Sequence, residues 1–230
     1  MQAQKADLSD EKNIQQVLAD GTDEARQETL KEIGVDADSA EKYASMRLSM
    51  AGGPTWQHLR EYSIPTAVLF LPCTGEDVSG LYLLQKVQDK WQVVDVDGFD
   101  CHYSDDVSID IASLRERNID DILVHNDCEE HGTGYVEHYY RVFSIENGKL
   151  KKEFEAKDKL YVDGWPKEDS RDQKSLVIPI PTKTAPHQDM EETKITILNG
   201  QRTVLRRYIY WSSVKRKFLT TKFMNVAGAN

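Results

Sequence analysis

Three apolar runs recur along this chain at a near-constant interval, and that recurrence restricts the fold more than any other feature. "AVLFLPC" from residue 67, "DILVHNDC" from residue 121 and "SLVIPIPT" from residue 175 lie about 54 residues apart. Each is followed by a polar stretch and then by a hairpin signal: "LYLLQKVQDKWQVVDV", "YVEHYYRVFSIENGKLKKEFEA" and "VLRRYIYWSSVKRKFLTTKF". In these segments aromatic and β-branched residues alternate with polar ones, the period that puts every second side chain on one face of an extended strand. The middle pair is joined by Asn147-Gly148, the dipeptide favoured by type I′ turns. Three strand-loop-hairpin units forming antiparallel sheet are therefore expected over residues 63–230.

The first 62 residues carry a helical period instead. "SDEKNIQQVLADG" offers Ser9 as N-cap, Ile14, Val17 and Leu18 on one face, and Gly21 as a stop. "TDEARQETLKEIG" repeats the plan between Thr22 and Gly34, with acids in its first turn. "DSAEKYASMRLSMAGG" opens on a capping-box arrangement, Asp38 and Glu41, and runs to Gly52-Gly53. A fourth short helix from Pro54 would carry Trp56 and Leu59. Such short amphipathic helices need a surface to pack on. The predicted fold class is thus α+β, mainly antiparallel β, with an N-terminal helical segment (1–62) packed on a β domain (63–230).

The strand "NIDDILVHND" and the following aromatic strand with "ENGKL" resemble the "DGxxDLLV" blades of FG-GAP and VCBS repeats in bacterial exported propellers, over about a hundred residues. Three units are fewer than the four to eight blades of a closed propeller, and that family's calcium-binding acidic loop is incomplete here. The resemblance implies an exported bacterial β-architecture, periplasmic or secreted, and says little about activity. "MQAQKADLSD" reads as a mature start of the kind that follows a cleaved leader, which agrees with export. A cytoplasmic location is the alternative.

A net charge of −10 weighs against non-specific nucleic-acid binding by the whole molecule. The charge is uneven: residues 200–230 hold seven Lys or Arg and no acid, a local +7 against −17 for the remainder. A basic tail on an acidic body is expected to fold back onto that body, with an acidic partner or phosphate polymer as the sharper alternative. No apolar run approaches the roughly eighteen residues of a membrane span.

"HNDCEEHGTGYVEH", residues 125–138, is the densest concentration of chemistry. His125, Cys128, His131 and His138 have the ligand types zinc prefers, the first three spaced as a loop folding around a metal would need. Glu129 or Glu130 would then serve as general base on a metal-bound water. The spacing matches none of the standard zinc patterns, and Gly132 and Gly134 suggest a turn. A solvated loop with one half-buried histidine, His138, is the favoured reading.

"DVDGFDCHYSDD", residues 95–106, offers Asp97, Asp100 and their acidic neighbours to calcium, with His102 beside Cys101. An EF-hand loop with Gly98 at its sixth position fails, because Val93 and Ser104 fall where acids are required. An acidic surface turn is favoured. The odd cysteine count allows one internal disulfide, for which Cys101 and Cys128 are the preferred pair. The last hairpin sets Arg206, Arg207, Lys215, Arg216 and Lys217 among Tyr208, Tyr210 and Trp211, a mixture that can grip nucleic acid, although alternation favours one core face and one charged face. Walker, GxGxxG, GxSxG and HExxH motifs are absent from the sequence.

Together these features predict a non-catalytic binding protein for a protein or glycan partner. Asp97, Asp100, His102, Glu129 and Glu130 would lie on loops (73–80, 97–106, 126–134) along one edge. The rival is a metal-dependent hydrolase using His125, Cys128, His131 and His138.

Overall fold

A computed structural model describes residues 5–48, 54–60, 62–72, 78–100, 107–115, 119–130, 135–161, 171–182, 188–198 and 201–226. Among the described residues, three short helices precede thirteen strands. Helix α1 (Glu11–Asp20) is capped by Asp10, whose carboxylate accepts the Lys12 N–H at 3.0 Å. Ser9, the expected cap, instead donates its own N–H and hydroxyl to Asp7. Helix α2 (Asp23–Glu32) starts at Thr22 as expected and stops before Gly34, whose φ of +102° is left-handed. Helix α3 (Ala37–Tyr43) is capped two residues earlier than Asp38, by Asp36, which accepts the Ser39 N–H at 2.9 Å. It ends at Tyr43; Gly52 and Gly53 lie outside the described residues.

The β-structure forms three antiparallel sheets. Sheet A holds β1 (Thr55–Leu59), β2 (Thr66–Leu71), β3 (Val78–Val87) and β4 (Lys90–Asp100) in that order. Sheet B holds β5 (Val107–Ala112), β6 (Asp121–Glu130), β7 (Tyr135–Glu146) and β8 (Lys149–Tyr161), again in chain order. Sheet C holds β9 (Arg171–Pro181), β10 (Gln188–Leu198), β11 (Gln201–Ser212) and β12 (Lys217–Thr220), with β13 (Met224–Asn225) also on β11. The fold is α+β and mainly antiparallel β. Asn147 and Gly148 both have positive φ, as a type I′ turn requires, and so do Gln88 and Asp89 in the first hairpin.

The helix expected from Pro54 is strand β1. An i, i+3 apolar pair marks one helix face, but in a strand it marks both faces, and Trp56 and Leu59 are both buried in sheet A. The 54-residue period also shifts register between units. The apolar run is the second strand in sheets A and B, but the first in sheet C. There β10 fills the stretch expected to be polar loop.

The chain divides into two compact units, Met1–Ser104 with Ile145–Leu150, and Asp105–Ser144 with Lys151–Asn230. In the first, the helices of segment 1–62 share one apolar core with sheet A: Ile14, Leu18, Leu30 and Ile33 meet Leu69, Leu71, Leu84 and Trp91. Backbone carbonyls of the helical segment seal strand β4, Leu8 accepting the Trp91 N–H at 2.9 Å and Ile33 the Val93 N–H at 2.6 Å. In the second unit, sheets B and C share a core in which Leu123, Tyr140 and Val142 join Val177, Met190, Ile209 and Phe218.

Candidate functional site

The stretch "HNDCEEHGTGYVEH" is the arm region of a hairpin. Residues 126–130, expected in a polar loop, belong to β6, and residues 131–134 are outside the described set. The acids there have low strand propensity, but pairing with β7 overrides it. His125 registers with Tyr140, and Asp127 with His138. Cross-strand and diagonal neighbours on one face fall within ring contact. The His125 and Tyr140 rings therefore stack at 4.6 Å and 5°, and His125 and His138 at 5.8 Å and 15°. His138 is buried, as its alternation with Val142 and Tyr140 implies.

Of the four expected zinc ligands, His125 and His138 are thus brought together. Cys128 lies in β6 in register with Glu137, Glu129 with Val136 and Glu130 with Tyr135; His131 is outside the described residues. Near-parallel rings aim their nitrogen lone pairs side by side, so a shared metal requires one ring to turn. Among the described residues no three His, Cys, Asp or Glu gather closely enough to hold a metal ion.

The expected acidic loop at 97–106 is also strand as far as Asp100. Asp95, Asp97 and Asp100 lie in β4, in register with Leu83, Leu81 and Val78. Asp95 accepts the Leu150 N–H at 2.7 Å. Cys101 and His102 lie outside the described residues, and with them the proposed Cys101–Cys128 pair.

Buried charge is the feature sequence reasoning missed. Arg115 donates to Asp121 at 2.7 Å and to Glu153 at 3.0 Å, and its guanidinium lies 5.7 Å from the Trp211 ring centre. Asp121 also accepts the Leu114 and Arg115 N–H groups, at 3.1 and 3.0 Å. Burial pushes its carboxyl above the ordinary 3.8, against the pull of Arg115. On the other face of β7, Arg141 donates to Asn126 at 2.7 Å and to Glu155 at 2.8 Å, over the Tyr139 ring. Burial raises Glu155, but hydrogen bonds from Arg141 and Lys152 outweigh it and hold the carboxyl below 4.5. The available signal was a charge at an alternation position of "YYRVF"; its partners are distant in sequence.

The basic tail folds back on acids of its own sheet. Arg207 registers with the buried Glu192 and donates to it, and Arg206 lies 3.5 Å from Glu191. Phe223 sits under both Arg207 and Lys194, at 4.6 and 4.9 Å. Lys215, Arg216 and Lys217 are elsewhere, exposed at the β11–β12 turn.

Sheet C also exposes large apolar residues on its outer face, beside Glu191, Thr193 and Arg206. Register aligns Leu176 with Thr193 and Arg206, and Ile178 with Glu191 and Tyr208, opposite the core-facing Val177, Met190 and Ile209. Leu176 is 53% exposed, Ile178 42% and Tyr210, on the same face, 38%. Strand β9 is the last strand of the sheet, on the far side from β12. No family model, curated protein or solved structure matches the chain.

Proposed function

We propose that the chain is a non-catalytic interaction protein whose partner is another protein, docked on the outer face of sheet C. The observation that carries this reading is the exposure of Leu176, Ile178 and Tyr210 on one sheet face. A solvated antiparallel face ordinarily alternates to polar residues, and contiguous apolar exposure marks contact surfaces. Arg206, 44% exposed at its side chain and only 3.5 Å from Glu191 at one nitrogen, still has donors to offer an acid on the partner. The complementary partner surface has an apolar centre and acidic residues around it. Pro179 and Pro181 lack N–H donors, which disfavours adding a strand along β9 and favours docking on the face.

The proposal keeps the exported bacterial setting implied by the likeness to FG-GAP and VCBS blades. Blades of that kind are four-stranded meanders, and sheets A and B are four-stranded meanders in chain order. Fractionation of the source cells tests this part: protein confined to the cytoplasm removes it.

Display selection of peptides tests the docking face. Binders raised on the wild-type protein are expected to combine apolar and acidic residues and to lose the Leu176→Glu/Ile178→Glu variant, provided its melting transition is retained. Binders that hold this variant equally well overturn the reading.

A second reading, the metal-dependent hydrolase, is favoured by one observation, the adjacency of His125 and His138 with Asp127 in register. Native mass spectrometry with zinc separates the two. A stoichiometric adduct lost in His138→Ala supports the metal site, and an adduct unchanged in that variant removes it.

A further inference from the structure

We infer that the β11–β12 hairpin tip is a contact point for anionic membrane surfaces. The tip is a built projection. Trp211 registers with Phe218 and their rings meet edge to face at 5.2 Å, which fixes the base of the hairpin in the core of the second unit. Ser212 registers with Lys217, and the Ser212 hydroxyl accepts the Lys215 N–H at 3.2 Å, closing the turn. Arg216 completes it in the left-handed region, at φ +49°.

Val214 occupies this tip, 93% exposed. The next three residues are Lys215, Arg216 and Lys217, all exposed. An apolar apex on a cationic collar is the arrangement that meets both layers of a bilayer interface: the aliphatic side chain enters the acyl boundary while the cations stay among lipid phosphates and carboxylates. Arg206 and Arg207 of β11 lie against Glu191 and Glu192, whereas Lys215, Arg216 and Lys217 put three exposed cations side by side at the tip. Without those three cations the chain would carry −13 instead of −10. That asymmetry turns the tip toward an anionic surface. Salt screens repulsion between the acidic body and such a surface beyond about 8 Å.

Charge complementarity selects an anionic bilayer over a neutral one, and the exposed valine selects a bilayer over a polyanion such as RNA, which offers no apolar phase. This inference is independent of the docking face on sheet C, which lies on other residues.

The test uses the full chain and vesicles of phosphatidylcholine with about 30% phosphatidylserine, against phosphatidylcholine alone, at about 0.15 M salt. The protein is expected to co-float with the anionic vesicles only. Each basic residue near such a surface shifts partitioning by about fivefold, so Lys215→Ala/Arg216→Ala/Lys217→Ala is expected to weaken binding by about a hundredfold. Lys215→Arg/Lys217→Arg, which keeps the charge, is expected to bind as the wild type does. An environment-sensitive fluorescent amino acid in place of Val214 is expected to shift to the blue on anionic vesicles. Three results overturn the inference: no binding to anionic vesicles, binding unchanged in the triple alanine variant, or triple-variant-sensitive binding to poly(U) without any spectral shift on vesicles.

Discussion

Beneath the helices of the first unit, Ile14, Leu30, Ile33, Leu69, Leu71, Leu84 and Trp91 form an apolar interior. Its buried arginine, Arg26, is tied to the Ala44 and Gly21 carbonyls and to Asp23. The second unit is threaded instead with carboxylate–guanidinium pairs: Arg115 with Asp121 and Glu153, Arg141 with Glu155, and Arg207 with Glu192. Apolar burial is non-directional and stabilises by about 1.5–3 kcal/mol per large side chain. A buried ion pair is different, because desolvation cancels much of its attraction, yet removing one partner strands a charge. Both units are therefore held by apolar volume, and the second is in addition sensitive to the loss of either member of a buried pair. One consequence concerns sheet C: with Arg207 and Glu192 fixed on its inner side, register is set without calling on the outer side, where Leu176 and Ile178 are left in solvent.

The comparison breaks most readily at Glu192. Glu192→Ala is expected to cost about 3–5 kcal/mol in urea unfolding, because Arg207 loses its carboxylate. Glu192→Leu/Arg207→Leu, which removes the stranded charge, is expected to recover most of that loss; a double variant as unstable as the single one would show that the pair itself, and not the stranded charge, carries the stability. In the first unit, Leu84→Ala is expected to cost about 2–5 kcal/mol, whereas Leu84→Met, which conserves volume, costs less than about 1.5 kcal/mol. Equal losses from the two would contradict a volume-held core.

Smaller effects sharpen the contrast. Asp36→Ala removes the α3 cap and is expected to cost about 1 kcal/mol. Burial raises the Asp36 carboxyl, but hydrogen bonds from Ser39 and the Tyr82 hydroxyl prevail and hold it below 3.8. Its charge therefore adds stability that is complete above pH 3.8 and is lost as pH falls through the folded value. Asp36→Asn keeps a capping group, so the gap between wild type and this variant should close in acid. Asp121 carries the opposite sign. Its raised folded value means that the folded state keeps a proton the unfolded chain has released, so its contribution declines as pH rises from 3.8 through that value. Urea midpoints of wild type and Asp121→Asn should also converge in acid, where both side chains are neutral, but as pH rises toward about 6 wild type should fall below the variant, the opposite sign to the Asp36 pair.

Local chemistry was legible in the sequence where local chemistry decides. Thr22 and Gly34 bound α2 as their capping roles require, and Asn147-Gly148 makes the turn its backbone preferences demand. The recurring apolar runs mark a strand in each sheet. What escaped depends on partners far along the chain. Strand β10 reads as a polar loop because Glu191 and Glu192 interrupt it, and only Arg206 and Arg207 across the sheet make those acids strand residues. The acids at the ends of β4 and β6 read as loop because acids disfavour strand, and only pairing with β3 and β7 makes them strand residues. His125 and His138 read in the sequence as ligands around a loop; register with Tyr140 places them in a ring stack. The outer face of sheet C was invisible, since "SLVIPIP" alone reads as strand buried on both sides and β9 shows a solvent-facing side only once β10 is beside it.

Hydrogen exchange measured with and without a selected apolar–acidic peptide tests the central claim most directly. Amides of β9 and β11, residues 171–181 and 201–212, are expected to slow on binding, and to stay unchanged in Leu176→Glu/Ile178→Glu. Slowing confined to the β6–β7 hairpin, residues 121–146, would place the docking site at the histidine stack and contradict the account.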